Sequence, residues 1–325
     1  MRAVRYHEFG DPSVLRVEDV EKQAPSNGEL LVEIRAASIN PVDAKRRRGS
    51  SNPLPQITGS DFAGVVAEVG DDVSEYSVGD RVFGTGLHTE RFHQGSAAEF
   101  VTVPVDIIAP LPEGVSFETG AGAALVGVTA WRGLLDHASL DPANTCLIHG
   151  GSGGVGHVAV QLAAEVGATV ISTAGTQSHR DIVRELGADV VFDYGRGDLT
   201  EAVRDQAPAG VDVVFDHRVH EYFQLDVDVA AFGGSVVIYG GGSATIADSA
   251  VARGKELTVS TMSMSNLAVS GELSQMTTVL RKVARLLERD ALTIEVARTY
   301  NLDGVGETHR AVMEDSFVGK LMIKP

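Results

Sequence analysis

The rhythm of apolar and polar positions changes twice along the chain. Up to about residue 110 the apolar positions fall in short β-type segments, Leu30–Ala37, Gly64–Val69, Asp80–Phe83 and Glu99–Val103. Turn signals such as Asn27-Gly28, Asp71-Asp72 and Gly79-Asp80 separate them, which predicts a compact, barrel-like β domain. Around Phe117 the texture shifts, and Gly120–Leu135, small and apolar without a strand rhythm, predicts a helix. From Cys146 onward strands and helices alternate. Strands are predicted at Cys146–His149, Thr169–Thr173, Val190–Phe192, Val211–Phe215 and Ser235–Tyr239. Helices at His157–Val166, Arg180–Leu186, Leu199–Asp205 and Leu225–Phe232 separate them. Such alternation predicts a parallel sheet with both faces covered and right-handed crossovers, a doubly wound α/β domain. A further strand at Leu257–Met262 and an amphipathic helix at Gly271–Glu288 follow. The tail returns to mixed structure at Ile294–Tyr300, Val305–Glu314 and Lys320–Ile323.

Composition narrows the class. With 325 residues, 43% of them hydrophobic and 22% charged, the chain can bury two domain cores, and disorder is excluded for the whole. Its longest apolar stretches, Val211–Phe215 among them, fall well short of the roughly 18 residues of a membrane span. The opening Met-Arg-Ala-Val-Arg-Tyr-His lacks the apolar run of a signal peptide, so a soluble, cytoplasmic protein with no membrane contact is expected. Acids outnumber bases 44 to 27, a net charge of −17, which argues against nucleic acid as a partner. Lysine occurs only at positions 22, 45, 255, 282, 320 and 324, the balance expected of a halophilic protein kept soluble in concentrated salt. The single cysteine, Cys146, excludes an intrachain disulfide and a cysteine-rich zinc lobe. Its apolar strand predicts a small buried hydrophobe rather than a nucleophile.

Candidate chemistry concentrates at Leu147-Ile148-His149-Gly150-Gly151-Ser152-Gly153-Gly154-Val155-Gly156-His157. A strand ends here and a helix opens after a glycine turn, within one βαβ unit. Glycines permit close backbone approach, and amides at the helix start attract negative charge, so Ser152, Gly153, Gly154 and Val155 are candidate ligands of a dinucleotide diphosphate. The end of the next strand selects the adenosine ribose. No acid stands there before Asp181, whereas Gly175, Thr176 and Arg180 offer backbone, hydroxyl and guanidinium, which favours NADPH over NADH.

Read together and in order, these segments resemble the medium-chain dehydrogenase/reductase superfamily, and within it the zinc-free quinone oxidoreductase, or ζ-crystallin-like, branch. The resemblance rests on Asn40-Pro41-Val42-Asp43, Gly59-Ser60-Asp61-Phe62-Ala63-Gly64-Val65-Val66 and Gly79-Asp80-Arg81-Val82. Gly95–Phe100, the His149–Gly156 turn and Gly319-Lys320-Leu321 extend it over essentially the whole chain. It implies a GroES-like β-rich catalytic domain, residues 1–124 and 266–325, and a Rossmann domain, residues 125–265. It also implies an NADPH cofactor, a quinone acceptor and a homodimer paired through the Leu257–Met264 edge. Zinc-dependent members place ligands near Asn40, Ser60 and Thr129, none of which is a thiolate or imidazole here, so no metal is expected. By the same resemblance Asn40 and Asp43 are the catalytic pair: the amide bonds a developing negative oxygen or the cofactor's carboxamide, and the carboxylate holds its loop. Thr129 is expected against the nicotinamide, and Tyr194 against the adenosine ribose or 2′-phosphate. Tyr239, Gly240 and Gly241 are expected along the nicotinamide half, with Lys320 reaching a phosphate. Two departures bear on the acceptor. The Arg46-Arg47-Arg48 loop has no aromatic residue, and Gly84–Gln94 is polar. An enoyl or other α,β-unsaturated carbonyl is the alternative substrate, and a non-catalytic NADPH-binding sensor the alternative class.

Overall fold

The computed structural model describes residues 1–325 except 51, 87–93, 248, 265, 268 and 269. Most of the polar Gly84–Gln94 segment, His88 and His93 included, thus lies outside the described residues. Two compact units form, Met1–Val128 with Met264–Pro325, and Thr129–Ser263.

The first unit begins with β1 (Arg2–Tyr6), β2 (Arg16–Asp19), β3 (Glu29–Ile39) and the short helix α1 (Pro41–Arg48). Next come β4 (Gln56–Ile57), β5 (Asp61–Val69), β6 (Arg81–Gly84), β7 (Phe100–Pro104) and β8 (Ile108–Pro110). A helix, α2 (Phe117–Trp131), leaves this unit for the second. β1 pairs with β2 and β4 in a small sheet. The larger sheet runs β15 (Val296–Asn301), β16 (Lys320–Lys324), β3, β5, β6, β8, with β7 added on β3. β3 sits in the middle and is buried along nearly its whole length, so it reads as a continuous apolar run rather than an alternating one. Its antiparallel neighbours set the site. Ser38 stands opposite Asp61 on β5, and Ile39 opposite Leu321 on β16, which brings the end of β3, the start of β5 and the start of β16 to one corner.

In the second unit β9 (Thr145–Ile148), β10 (Thr169–Ala174), β11 (Val190–Asp193), β12 (Val211–Asp216), β13 (Ala230–Ile238) and β14 (Thr258–Thr261) form one parallel sheet, ordered β11-β10-β9-β12-β13-β14. The order reverses between β9 and β12, and crevices at such a reversal are where open α/β sheets bind ligands. The helices α3 (Gly154–Val166), α4 (Gln177–Glu185), α5 (Leu199–Gln206), α6 (Val219–Val229) and α7 (Ser249–Gly254) are the connections. Leu147, Ile171, Val214 and Val236 from four strands pack with Phe223 and Val227 of α6. Each such burial stabilises by about 1.5–3 kcal/mol. Cys146 is buried in β9, and desolvation raises its thiol far above the usual range, as its apolar strand predicts.

One predicted helix is displaced. The segment read as helix at Leu225–Phe232 is helix only to Val229, having started at Val219. Ala230–Ile238 is a single strand, and Phe232, the last residue of the predicted helix, is 70% exposed on it. Gly233-Gly234 follow at once, and glycines disfavour prolonging a helix. Among the described residues, no helix is long and apolar enough to cross a membrane.

Candidate functional site

The glycine turn joins β9 to α3 at the sheet's reversal. Gly153 donates to the carbonyl of Gly150 at 2.9 Å, while β10 fixes the turn from the side. Thr173 Oγ1 accepts from Gly150 N at 3.0 Å, and the Thr173 carbonyl from Gly151 N at 2.9 Å. Gly153 is the extended N-cap of α3 and supplies no side-chain cap. The first amides of the helix, at Gly154, Val155 and Gly156, therefore have no intrahelical acceptor, and the helix dipole adds positive potential there. Gly156 is where α3 comes closest to the turn: a Cβ there would overlap the Gly150 carbonyl oxygen. The result is a backbone cradle open to an anion, and it fits a dinucleotide diphosphate.

Just before the turn, His149 is fully buried, 2.9 Å from Asp226 through Nε2 and stacked on Tyr222 at 4.3 Å. Burial pushes the imidazole down to about 4 and the Asp226 carboxyl up to about 8. Desolvation thus disfavours the charged form on both sides of this hydrogen bond, which ties the end of β9 to α6.

At the end of β10, Thr176 caps α4 by accepting the His179 amide at 3.2 Å. Tyr194, half exposed, lays its hydroxyl over Gly175 so closely that a Cβ at that position would overlap it. Arg180 is largely buried and already engaged. Its Nη1 donates to the Gly175 carbonyl and to Asp193 Oδ2, both at 2.8 Å. Asp193 ends β11, opposite Ala174 in the parallel register. An acid thus does reach this corner, from the neighbouring strand rather than from the strand scanned for it. Farther along the same edge, Tyr239 follows β13 and stacks on Phe215 at 4.2 Å. Gly240 packs on the backbone of His217, and nothing lies within 4 Å of where Gly241 would carry a Cβ.

The second cluster belongs to the first unit and gathers at the corner where β3, β5 and β16 meet. Asn40 is the N-cap of α1, and Asp43, one turn on, accepts its backbone N–H at 2.8 Å. Ser60 donates to Asp43 at 2.8 Å, and Ser38 donates to Asp61 at 2.8 Å. The Asn40 amide, expected to face a reacting oxygen, donates instead to Asp61 at 2.8 Å and makes only a long 3.4 Å contact with Ser60. Its oxygen accepts from the Lys320 ammonium, which also lies 3.7 Å from Asp61. Lys320 is 3% exposed, so its expected role on a cofactor phosphate is corrected. Register with β3 places it at the Asn40 corner, where it neutralises buried carboxylates. Desolvation is the largest influence throughout: it raises Asp43 to about 7, raises Asp61 and lowers Lys320.

Of the three positions compared with zinc ligands, Asn40 and Ser60 come together here, while Thr129 is buried near the end of α2 in the other unit. The groups assembled at the corner are an amide, two hydroxyls and two carboxylates around a built-in ammonium, not a zinc donor set. Among the described residues, no group of three His, Cys, Asp or Glu side chains is arranged to hold a metal ion. Within the Arg46-Arg47-Arg48 run, Arg47 is fully buried, donating to His309 Nδ1 at 3.3 Å and to the Gly10 carbonyl.

A family model described as alcohol dehydrogenase GroES-like domain matches residues 26–113, and one described as zinc-binding dehydrogenase matches residues 154–288. The quinone oxidoreductase of Mus musculus is 36% identical over 247 residues, spanning 74% of this chain and 73% of that one. The structure of Escherichia coli quinone oxidoreductase complexed with NADPH superposes with a TM-score of 0.89 at 26% identity, covering all of both chains. An NAD-dependent alcohol dehydrogenase superposes at 0.91 with 28% identity, again over both whole chains.

Proposed function

The chain belongs to the medium-chain dehydrogenase/reductase superfamily of oxidoreductases, and from that premise we propose that it reduces quinones with NADPH and without zinc. One observation carries the reading: the cation at the Asn40–Asp61 corner is the protein's own, the ammonium of Lys320. A divalent ion bound to the same carboxylates would have to displace a tethered charge that is 3% exposed. An acceptor reduced here must therefore need little Lewis-acid help, and a quinone meets that condition because the negative charge spreads over an aromatic ring. The nicotinamide, when bound, supplies the hydride. The chain's own part is orientation, which can provide much of the rate.

On this reading Ser152, Gly153, Gly154 and Val155 hold the diphosphate. Thr176 and Tyr194 flank the adenosine ribose, and Tyr239, Gly240 and Gly241 lie along the nicotinamide half, with Thr129. Asn40 keeps one N–H in its weak 3.4 Å contact with Ser60, which a substrate oxygen can replace, while Asp43 positions the loop through the Asn40 N–H and Ser60. The molecule is a homodimer joined along β14, an edge strand with Val259 41% exposed.

Stopped assays with NADPH and NADH over a panel of quinones, enones and alcohols test this. Quinone turnover with NADPH, unchanged by a chelator and accompanied by no stoichiometric zinc, is the expected result. Turnover of enones but of no quinone would move the substrate to conjugated carbonyls. Tight NADPH binding with no turnover of any acceptor would favour a sensor. Loss of activity on chelation, restored by zinc, would refute the zinc-free reading.

A further inference from the structure

We propose that Asp193 sets how strongly this protein prefers NADPH to NADH, by holding the guanidinium that a 2′-phosphate needs. The inference rests on the NADPH reading above and concerns its adenosine end.

Arg180 is the cation nearest the end of β10, and it is not at leisure. Nη1 is shared between the Gly175 carbonyl and Asp193 Oδ2, both at 2.8 Å, and Nη2 donates to Gln177 Oε1 at 3.1 Å. Its side chain is 17% exposed against 44% for Asp193, so the carboxylate rather than the guanidinium is the charge more open to solvent. Asp193 is itself held in place, since its other oxygen accepts the Gly195 amide at 2.8 Å. Asp181, the acid nearest in sequence, is engaged instead with Gln177 and Arg184. Asp193 is thus the acid that faces Arg180, and it does so beside Gly175, over which Tyr194 lies.

The two cofactors meet this pair differently. A 2′-phosphate, close to dianionic at neutral pH, must share the guanidinium with Asp193 and endure its repulsion. A 2′-hydroxyl has no charge to repel and can donate a hydrogen bond to the carboxylate, the usual device for selecting NADH. Arg180 and Asp193 therefore pull in opposite directions. The NADPH preference is the difference between them, and it is lower than a free arginine would give.

Calorimetric titration of the full-length protein with NADPH and with NADH, without acceptor, reads this directly. D193N retains an oxygen for the Gly195 amide and removes the charge. The ratio of the NADH to the NADPH dissociation constant should then rise by about tenfold, the order expected for one like charge removed near a phosphate at the protein surface. R180Q should lower the same ratio by a comparable factor, which shows that the corner, and not the fold, is being read. A ratio in D193N within twofold of wild type, or lower, overturns the proposal while leaving NADPH binding intact. If wild type binds neither dinucleotide, the proposal falls together with the reading beneath it.

Discussion

Substituting alanine for Gly156 puts the cradle itself to the test. The added methyl would overlap the Gly150 carbonyl oxygen, and would sit 2.8 Å from Gly150 C and 2.9 Å from Gly151 Cα, where ordinary contact begins at 3.4 Å. All three neighbours are backbone, so no rotamer change relieves the clash. Either α3 withdraws from the turn or Gly150-Gly151 leaves Thr173, which holds both of its amides. Such overpacking costs about 1–3 kcal/mol of stability. If the shift takes even two amides out of reach of a diphosphate, each worth about 1.5–3 kcal/mol as a charge-assisted bond, NADPH affinity falls by roughly 100-fold or more. Titration of NADPH fluorescence, paired with thermal melts with and without cofactor, measures both. The melts should also lose most of the cofactor-induced rise in midpoint. G197A is the control, since nothing lies within 4 Å of its Cβ and the position is outside the turn. An NADPH dissociation constant in G156A within threefold of wild type, in a protein that still melts cooperatively, would refute the assignment of the diphosphate to this turn.

Two other predictions follow from charge. Asp43 is raised to about 7, above its unfolded value of about 3.9, so the folded state binds the extra proton between those values. Its contribution is fully present below about pH 4 and is lost as pH rises through 7. His149 and His309, lowered to about 4 and 3, act oppositely over the acid range, so the Asp43 part is read as the stability difference between wild type and D43N. That difference should fall by roughly 2 kcal/mol from pH 5 to 7 and level off above about pH 8 in urea titrations; a flat difference would show that Asp43 does not titrate there. With 44 acids against 27 bases, the melting midpoint should climb by at least a few degrees between 0.1 and 2 M KCl. A midpoint that falls with salt would contradict the halophilic reading.

What the sequence reveals and what it hides follow from distance along the chain. The turn at Gly150–Gly156 is legible because strand, turn and helix are contiguous, and the Asn40–Asp43 cap because three residues separate its partners. Lys320 and Asn40 are 280 residues apart and meet only through the β16–β3 register, which no local pattern encodes. Asp193 was hidden for the same reason, since parallel pairing with β10 brings in an acid that a scan along β10 cannot see. Arg47 had a local signal of its own. It lies one helical turn from Asp43 and Ala44, and all three are buried on α1, but the flanking arginines masked that spacing.

The placement of β16 has a consequence for biosynthesis. A ribosome makes the dinucleotide unit in one stretch, and all six of its strands have emerged by Thr261. The β-rich unit, begun earlier, lacks an inner strand of its larger sheet until residues 320–324 are made. Until then the nascent chain has Asp43 and Asp61 but not the lysine that neutralises them, and an unpaired flank on β3. The first domain to be started thus closes only after the second has been made, and chaperones would meet it as an open sheet waiting for β16.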